Sequence, residues 1–266
     1  MLEDYSDRRK HKRIRLELDV TTTIEDTGKV FKGTTMNLSA DGMSLLLDEF
    51  VPIGKKLGLS FQINEGLVFK GIVGKIVRAI DIDDRFLYGL DFLNMPDEGA
   101  KSIEEIGDVV FFIKKIKLFA AITDEEALYL KHVGKDIDHP EGQVIFNEGD
   151  EGEAFYAVIK GKVRISKKSN IDEANEEVLA LIREGEFFGE MALFDEGLRT
   201  ANAVAHSDCT LFTISAVQFN ELIKTNHRLA IKVLLGFIRT LSKRLKSTNQ
   251  EMVDLLFSEA ALKDMK

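Results

Sequence analysis

Ile14, Leu16, Leu18 and Val20 alternate with polar neighbours, the two-residue period of a strand with one buried face. Alternating or β-branched runs recur at Val30–Met36, Met43–Leu47, Leu57–Ile63, Val68–Ile80 and Phe86–Phe92, separated by turn residues and without a helical period between them. Short strands so spaced predict a small antiparallel barrel. After Asn94-Met95-Pro96 the period lengthens. Ser102-x-x-Glu105 and Thr123-x-x-Glu126 both have the capping-box spacing and predict two helix starts, with Ile103, Ile106, Val110 and Ile113 on one side of the first helix. From about Asn226 to Phe257 the chain has Gly236 as its one glycine and no proline, which predicts a long helix. Within it Ile238, Leu241, Leu245, Thr248, Met252 and Leu255 step by three and four, the seam of a coiled coil. Leu229 to Phe237 suits packing within one chain as well. No Gly/Ser-rich stretch separates the halves, so the joint is predicted as structured helix. It either transmits movement or simply completes the second core, and the pattern leaves both open.

Composition narrows the function. A chain of 266 residues has room for two ordinary cores, and 44% hydrophobic with 30% charged residues is a globular balance. The net charge of −9 argues against general polyanion binding, which makes the run RRKHKRIR at residues 8–15 more informative. A basic run alone also fits a solvated tail or a nucleic-acid patch. Cys209 is the single cysteine, so no internal disulfide and no thiolate zinc site is expected; its apolar neighbours predict a small buried residue. His11, His132, His139, His206 and His227 show no metal-ligand spacing. Neither a membrane-spanning apolar stretch nor a signal-peptide pattern is present, so a cytoplasmic location is expected.

The chemistry concentrates in Phe187–Ala203, FFGEMALFDEGLRTANA. Gly189 lets backbone approach a ligand closely, Glu190 can accept from a sugar hydroxyl, and Arg199 offers a planar fork to phosphate oxygens. Thr200 adds a hydroxyl, and the start of a short helix adds amides. This stretch resembles the phosphate-binding cassette of the cyclic nucleotide-binding domain of catabolite activator proteins and kinase regulatory subunits. Gly142–Asp150, Phe155-Tyr156 and Gly161-Lys-Val163 resemble the β-roll before it, so the likeness covers about Ile113 to Leu245. It implies that Gly189 and Glu190 hold the ribose, that Arg199 and Thr200 hold the cyclic phosphate, and that Met191, Ala192 and Ala201 complete the cassette. It also likens the last helix to the dimerising helix of those activators, implying a parallel homodimer, and puts Thr248 and Asn249 where a purine is sensed. Polar seam residues also serve merely to fix register. Cyclic AMP and cyclic GMP both fit.

A second resemblance lies upstream. Arg9-x-x-x-Arg13 and Asn37-x-Ser39-x-x-Gly42 together resemble the PilZ domain, a bacterial receptor for cyclic di-GMP, with Tyr88-Gly-Leu-Asp-Phe92 like its closing strand. Read alone, Asn37–Gly42 is a turn in which Gly42 takes positive φ. The resemblance implies that Arg9 and Arg13, assisted by Arg8, bind phosphate and guanine, that Asn37 meets a guanine edge, and that Ser39 and Gly42 shape the loop against a phosphate. Guanidinium suits this, since it bridges phosphate oxygens, pairs with guanine O6 and N7, and stacks on purines.

The expected fold is therefore mainly β with α: a PilZ-type barrel (1–95), a helical joint (96–117), a cyclic nucleotide-binding β-roll (118–225) and a dimerisation helix (226–266). The expected function is a bacterial two-messenger receptor, non-enzymatic and without a prosthetic group or metal, signalling to another protein. The alternative is an interaction adaptor that has lost ligand binding. The resembled transcription factors continue into a helix-turn-helix; here Ser258–Lys266 is too short for one, so DNA binding is not expected.

Overall fold

A computed structural model describes residues 11–64, 66–168, 176–194 and 198–264, with backbone alone for 192, 255 and 258–264. Two units result: Met1–Phe111 with Thr123–Leu128, and Phe112–Ile122 with Tyr129–Lys266.

The first unit is a closed barrel of β1 (Asp19–Ile24), β2 (Val30–Ser39), β3 (Gly42–Leu47), β4 (Lys56–Asn64), β5 (Leu67–Ile82) and β6 (Arg85–Phe92), in the order β1-β2-β3-β6-β5-β4. The two-residue period does what it predicts. Met43, Leu45 and Leu47 of β3, and Leu57, Leu59 and Phe61 of β4, point inward and are buried. Tyr88 closes the core fully buried, its hydroxyl accepting from Val51 N at 2.7 Å and donating to Glu49 O at 3.1 Å.

Two expectations are corrected here. Regular pairing begins only at Asp19, although Ile14, Leu16 and Val20 are buried as the alternation predicts. The reason is where the donors go: Arg15 N and Glu17 N donate to carboxylates of Asp124 and Glu125, at 2.7 and 2.9 Å, instead of to a ladder. Helix α1 (Asp97–Lys115) starts after Pro96 with Asp97 and Glu98 in its first turn. Ser102 is therefore interior, its hydroxyl donating to Glu98 O at 2.9 Å rather than capping. Thr123 does cap α2 (Asp124–Val133), bonding Glu126 in both directions.

In the second unit two four-stranded sheets enclose a core. β11 (Glu176–Arg183), β10 (Lys162–Lys168), β13 (Asn202–Ala205) and β8 (Val144–Phe146) form one sheet, in that order. The other runs β12 (Phe187–Phe188), β9 (Ala154–Lys160), β14 (Cys209–Ser215) and β7 (Lys135–His139). Val158, Val163, Ile182, Phe188, Ala203 and Leu211 join them in one apolar cluster, and Cys209 is buried in it. The four-residue α3 (Met191–Phe194) follows β12. α4 (Ala216–Thr225), opened by a Ser215–Gln218 capping box, precedes the predicted long helix, which is the single α5 (His227–Asp264). Gly236 in α5 is steric, because a Cβ there meets Leu118 O at 2.3 Å. Among the described residues no helix is long and apolar enough to cross a membrane.

Candidate functional site

Arg199 and Glu190 are the two buried charges of the cassette, 7% and 6% exposed. Burying a charge is costly unless it is paired or hydrogen-bonded, so what surrounds each is informative. Arg199 is pinned first through its backbone: Gly149 N donates to Arg199 O at 2.9 Å and Arg199 N to Asp150 O at 2.8 Å. Its side chain donates from Nη1 to Gly189 O (3.0 Å) and from Nη2 to Ala154 O (2.8 Å), and it lies over Phe146, 4.1 Å from the ring centroid. Guanidinium has five N–H donors. Two are spent here, while Nε is buried with no partner. The remaining N–H donors are not used by these two bonds, and donors of this kind are what an incoming oxyanion requires. Burial pulls the guanidinium below its ordinary value, against the opposing pull of Tyr156 and Asp150, but arginine stays charged in any case.

Gly189 is needed twice over. It sits at φ +75°, and a Cβ there meets Arg199 Nη1 at 2.8 Å. Glu190 follows, with Leu193 N donating to its carbonyl at the start of α3. Burial holds its carboxyl above the usual range, opposed by a backbone hydrogen bond and by Arg244. Arg244 of α5 reaches it at 3.1 Å, its other terminal nitrogen donating to Phe187 O at 2.5 Å and its plane lying over the Phe187 ring.

The cassette thus converges on one cavity of about 240 Å³, to which Gly189, Glu190, Met191, Arg199, Thr200 and Ala201 all contribute. Ile165, Ala180 and Ile182 supply an apolar wall. A cationic fork and a carboxylate acceptor beside an apolar wall suit a nucleotide with a flat base. Thr248 and Asn249 are exposed on α5 and are not part of this wall. Arg244, by contrast, lines the cavity and was not among the residues singled out from sequence. A seam pattern weighs apolar spacing, and nothing local announces a partner 54 residues away. Phe146 and Tyr156, which flank Arg199, were likewise missed.

The upstream constellation is assembled in part. Arg8 and Arg9 lie outside the described residues. Arg13 is exposed and precedes Ile14, which exchanges backbone bonds with Leu38 at 2.9 and 2.8 Å. Arg13 is thereby brought to the stretch of β2 that carries Asn37 and Ser39. The arm is held there by His11 against Glu104 (2.5 Å) and Lys12 against Asp108 (2.6 Å). Met36 is an extra residue in the β2–β3 register, and beyond it Asn37 pairs with Ser44. Asn37 is half-buried, and its Oδ1 is buried without a partner.

Ser39 is fully buried, its hydroxyl donating to Asp41 Oδ1 at 2.5 Å with Gly42 O at 3.0 Å as second acceptor. Gly42 corrects the turn reading. It is the first residue of β3 and is not among the positive-φ glycines. Its glycine is demanded by packing, since a Cβ meets Leu90 O at 2.1 Å. The turn itself is only Ala40-Asp41.

Comparison with known proteins agrees with this division. The model of the PilZ domain matches residues 7–110, and that of the cyclic nucleotide-binding domain matches 137–226. The Cyclic AMP receptor protein of Thermus thermophilus is 37% identical over 149 residues, which is 56% of this chain and 66% of that one. The cAMP-activated global transcriptional regulator CRP of Haemophilus influenzae is 32% identical over 124 residues, 46% of this chain and 53% of its own. This chain therefore spans between about half and two thirds of the length of such relatives. A cyclic nucleotide-binding domain from Methylobacillus flagellatus superposes with a TM-score of 0.50 at 23% identity, covering 56% of this chain and 83% of that one, and shares the fold. Both matched domains are of a ligand-binding type. The chain joins a PilZ domain to a cyclic nucleotide-binding domain. Among the described residues no cluster of His, Cys, Asp and Glu suited to a metal is found.

Proposed function

We propose that the protein is a cytoplasmic dual second-messenger receptor, taking cyclic di-GMP in the barrel and cAMP or cGMP in the β-roll, and passing the result to another protein. One observation carries the second half: the buried Arg199, whose Nε has no partner, lines one cavity together with Glu190. Arg199 would take the cyclic phosphate and Glu190 the ribose hydroxyl, with Gly189, Met191, Ala192, Thr200 and Ala201 around them. Support for the first half comes from Arg13 beside β2 and the unsatisfied Asn37 Oδ1, an acceptor suited to a guanine N–H edge. Arg8, Arg9, Ser39 and Gly42 complete that reading. Catalysis is not part of it; hydrolysis of either nucleotide by purified protein would contradict this.

The receptor is proposed to work as a homodimer through α5. Ile238, Leu245 and Met252 of the seam are 58%, 63% and 56% exposed, more apolar surface than one helix usually leaves bare. Thr248 and Asn249 on that helix are then placed to meet a purine from across the seam. Light scattering tests it: twice the chain mass is expected, and a monomer at micromolar concentration contradicts it.

The adaptor reading has one observation in its favour, that Arg244 already satisfies Glu190 without any ligand. Thermal-shift measurement with cyclic di-GMP, cAMP and cGMP separates the two, because a binder stabilises the fold by mass action and an adaptor does not.

A further inference from the structure

A second cleft, of about 410 Å³, shares Arg244 with the nucleotide cavity as a lining residue. Its walls are Lys117 from the 3₁₀ turn Lys117–Phe119, Glu186 and Phe187 at the start of β12, and Arg239, Lys243 and Ser247 from α5. The charges do not balance. Glu186 is taken by Lys117 at 2.8 Å, and Arg244 by Glu190. Ser247 donates to Glu251 at 3.2 Å. Arg239 and Lys243, four residues apart on one helical face, have no carboxylate partner among the described residues. Two like charges so placed repel each other, a cost that a bound anion reverses. The same face is turned away from the α5 seam: at about 100° per residue, Arg239, Lys243 and Ser247 lie on the far side of the helix from Ile238, Leu241 and Leu245. A dimer through that seam leaves the cleft open.

We infer that this cleft is a second anion site, binding a small phosphate-bearing molecule through Arg239 and Lys243 with Thr240 as a hydroxyl donor. A compact concavity of this volume suits a small ligand. A long polyanion is disfavoured by the chain's net charge of −9. The inference goes beyond the nucleotide cavity and does not depend on it, although Arg244 borders both.

The test is calorimetric titration of inorganic pyrophosphate into the full chain and three variants. Arg239→Ala with Lys243→Ala alters exposed side chains. It is expected to weaken binding by about tenfold or more, the scale of one charge-assisted hydrogen bond. Lys70→Ala with Lys75→Ala removes the same charge from exposed positions on β5 and is expected to change nothing; Arg199→Leu removes the guanidinium of the nucleotide cavity and reports any pyrophosphate held there. Absence of binding by the unaltered chain overturns the inference. Equal weakening in the β5 control assigns the effect to net charge and overturns it too. Loss in Arg199→Leu without loss in the cleft variant places pyrophosphate in the nucleotide cavity instead, with the same consequence.

Discussion

Arg199→Leu separates binding from folding. The substitution removes the guanidinium but keeps apolar bulk beside Phe146. Two of five N–H donors are engaged by Gly189 O and Ala154 O, leaving Nε and neighbouring Nη protons for the ligand. A phosphate bound there and then deprived of its fork is stranded in a poorly hydrated site, which costs about 2–5 kcal/mol. That is roughly 30-fold to several-thousand-fold in Kd. The fold loses less than the ligand does, because burying the guanidinium is itself expensive and its removal offsets part of the two lost hydrogen bonds. Calorimetry with cAMP and cGMP reads the affinity, and thermal unfolding of the ligand-free variant checks that it folds. A folded variant binding either nucleotide within about threefold of the parent refutes the phosphate role.

Other substitutions probe single features. Glu190 keeps its proton to higher pH in the fold than in the unfolded chain, so ligand-free stability falls as pH rises from the ordinary value of 4.5 through the raised one. Glu190→Gln abolishes that slope, and urea midpoints over the same range show whether it does. Tyr88→Phe leaves Val51 N–H buried without its acceptor and is expected to cost about 1–3 kcal/mol, measured by urea unfolding. Gly42→Ala forces a Cβ against Leu90 O and is expected to destabilise the barrel by about 1–3 kcal/mol; an unchanged midpoint shows that β6 yields freely. If α1 couples the domains, each ligand shifts the other's affinity by the same factor, and calorimetry with and without the second ligand measures it.

What could be read in advance follows from how local each feature is. β3 and β4 announce themselves because alternation of Met43, Leu45, Leu47 and of Leu57, Leu59, Phe61 is a property of adjacent residues. The cassette was legible for a related reason: Gly189, Glu190 and Arg199 lie within eleven positions and are held together by Arg199's own bond to Gly189 O. Asn37 and Ser39 misled as turn residues, because their polar side chains favour turns while the β2–β3 hairpin closes on Ala40-Asp41 alone. Ser102 misled similarly, since Pro96 and the acids after it had already opened α1. Arg244 was invisible as a site residue because its meaning lies in Glu190, brought near only by the fold.

The most direct test is calorimetry of intact protein with cyclic di-GMP, cAMP and cGMP, repeated on Arg9→Ala/Arg13→Ala and on Arg199→Leu. Two independent losses are predicted: the paired arginine variant fails to bind cyclic di-GMP yet keeps the mononucleotide, and Arg199→Leu does the reverse. Folded protein that gives no heat with any of the three, or a single substitution that abolishes both responses in a folded chain, contradicts the two-site account.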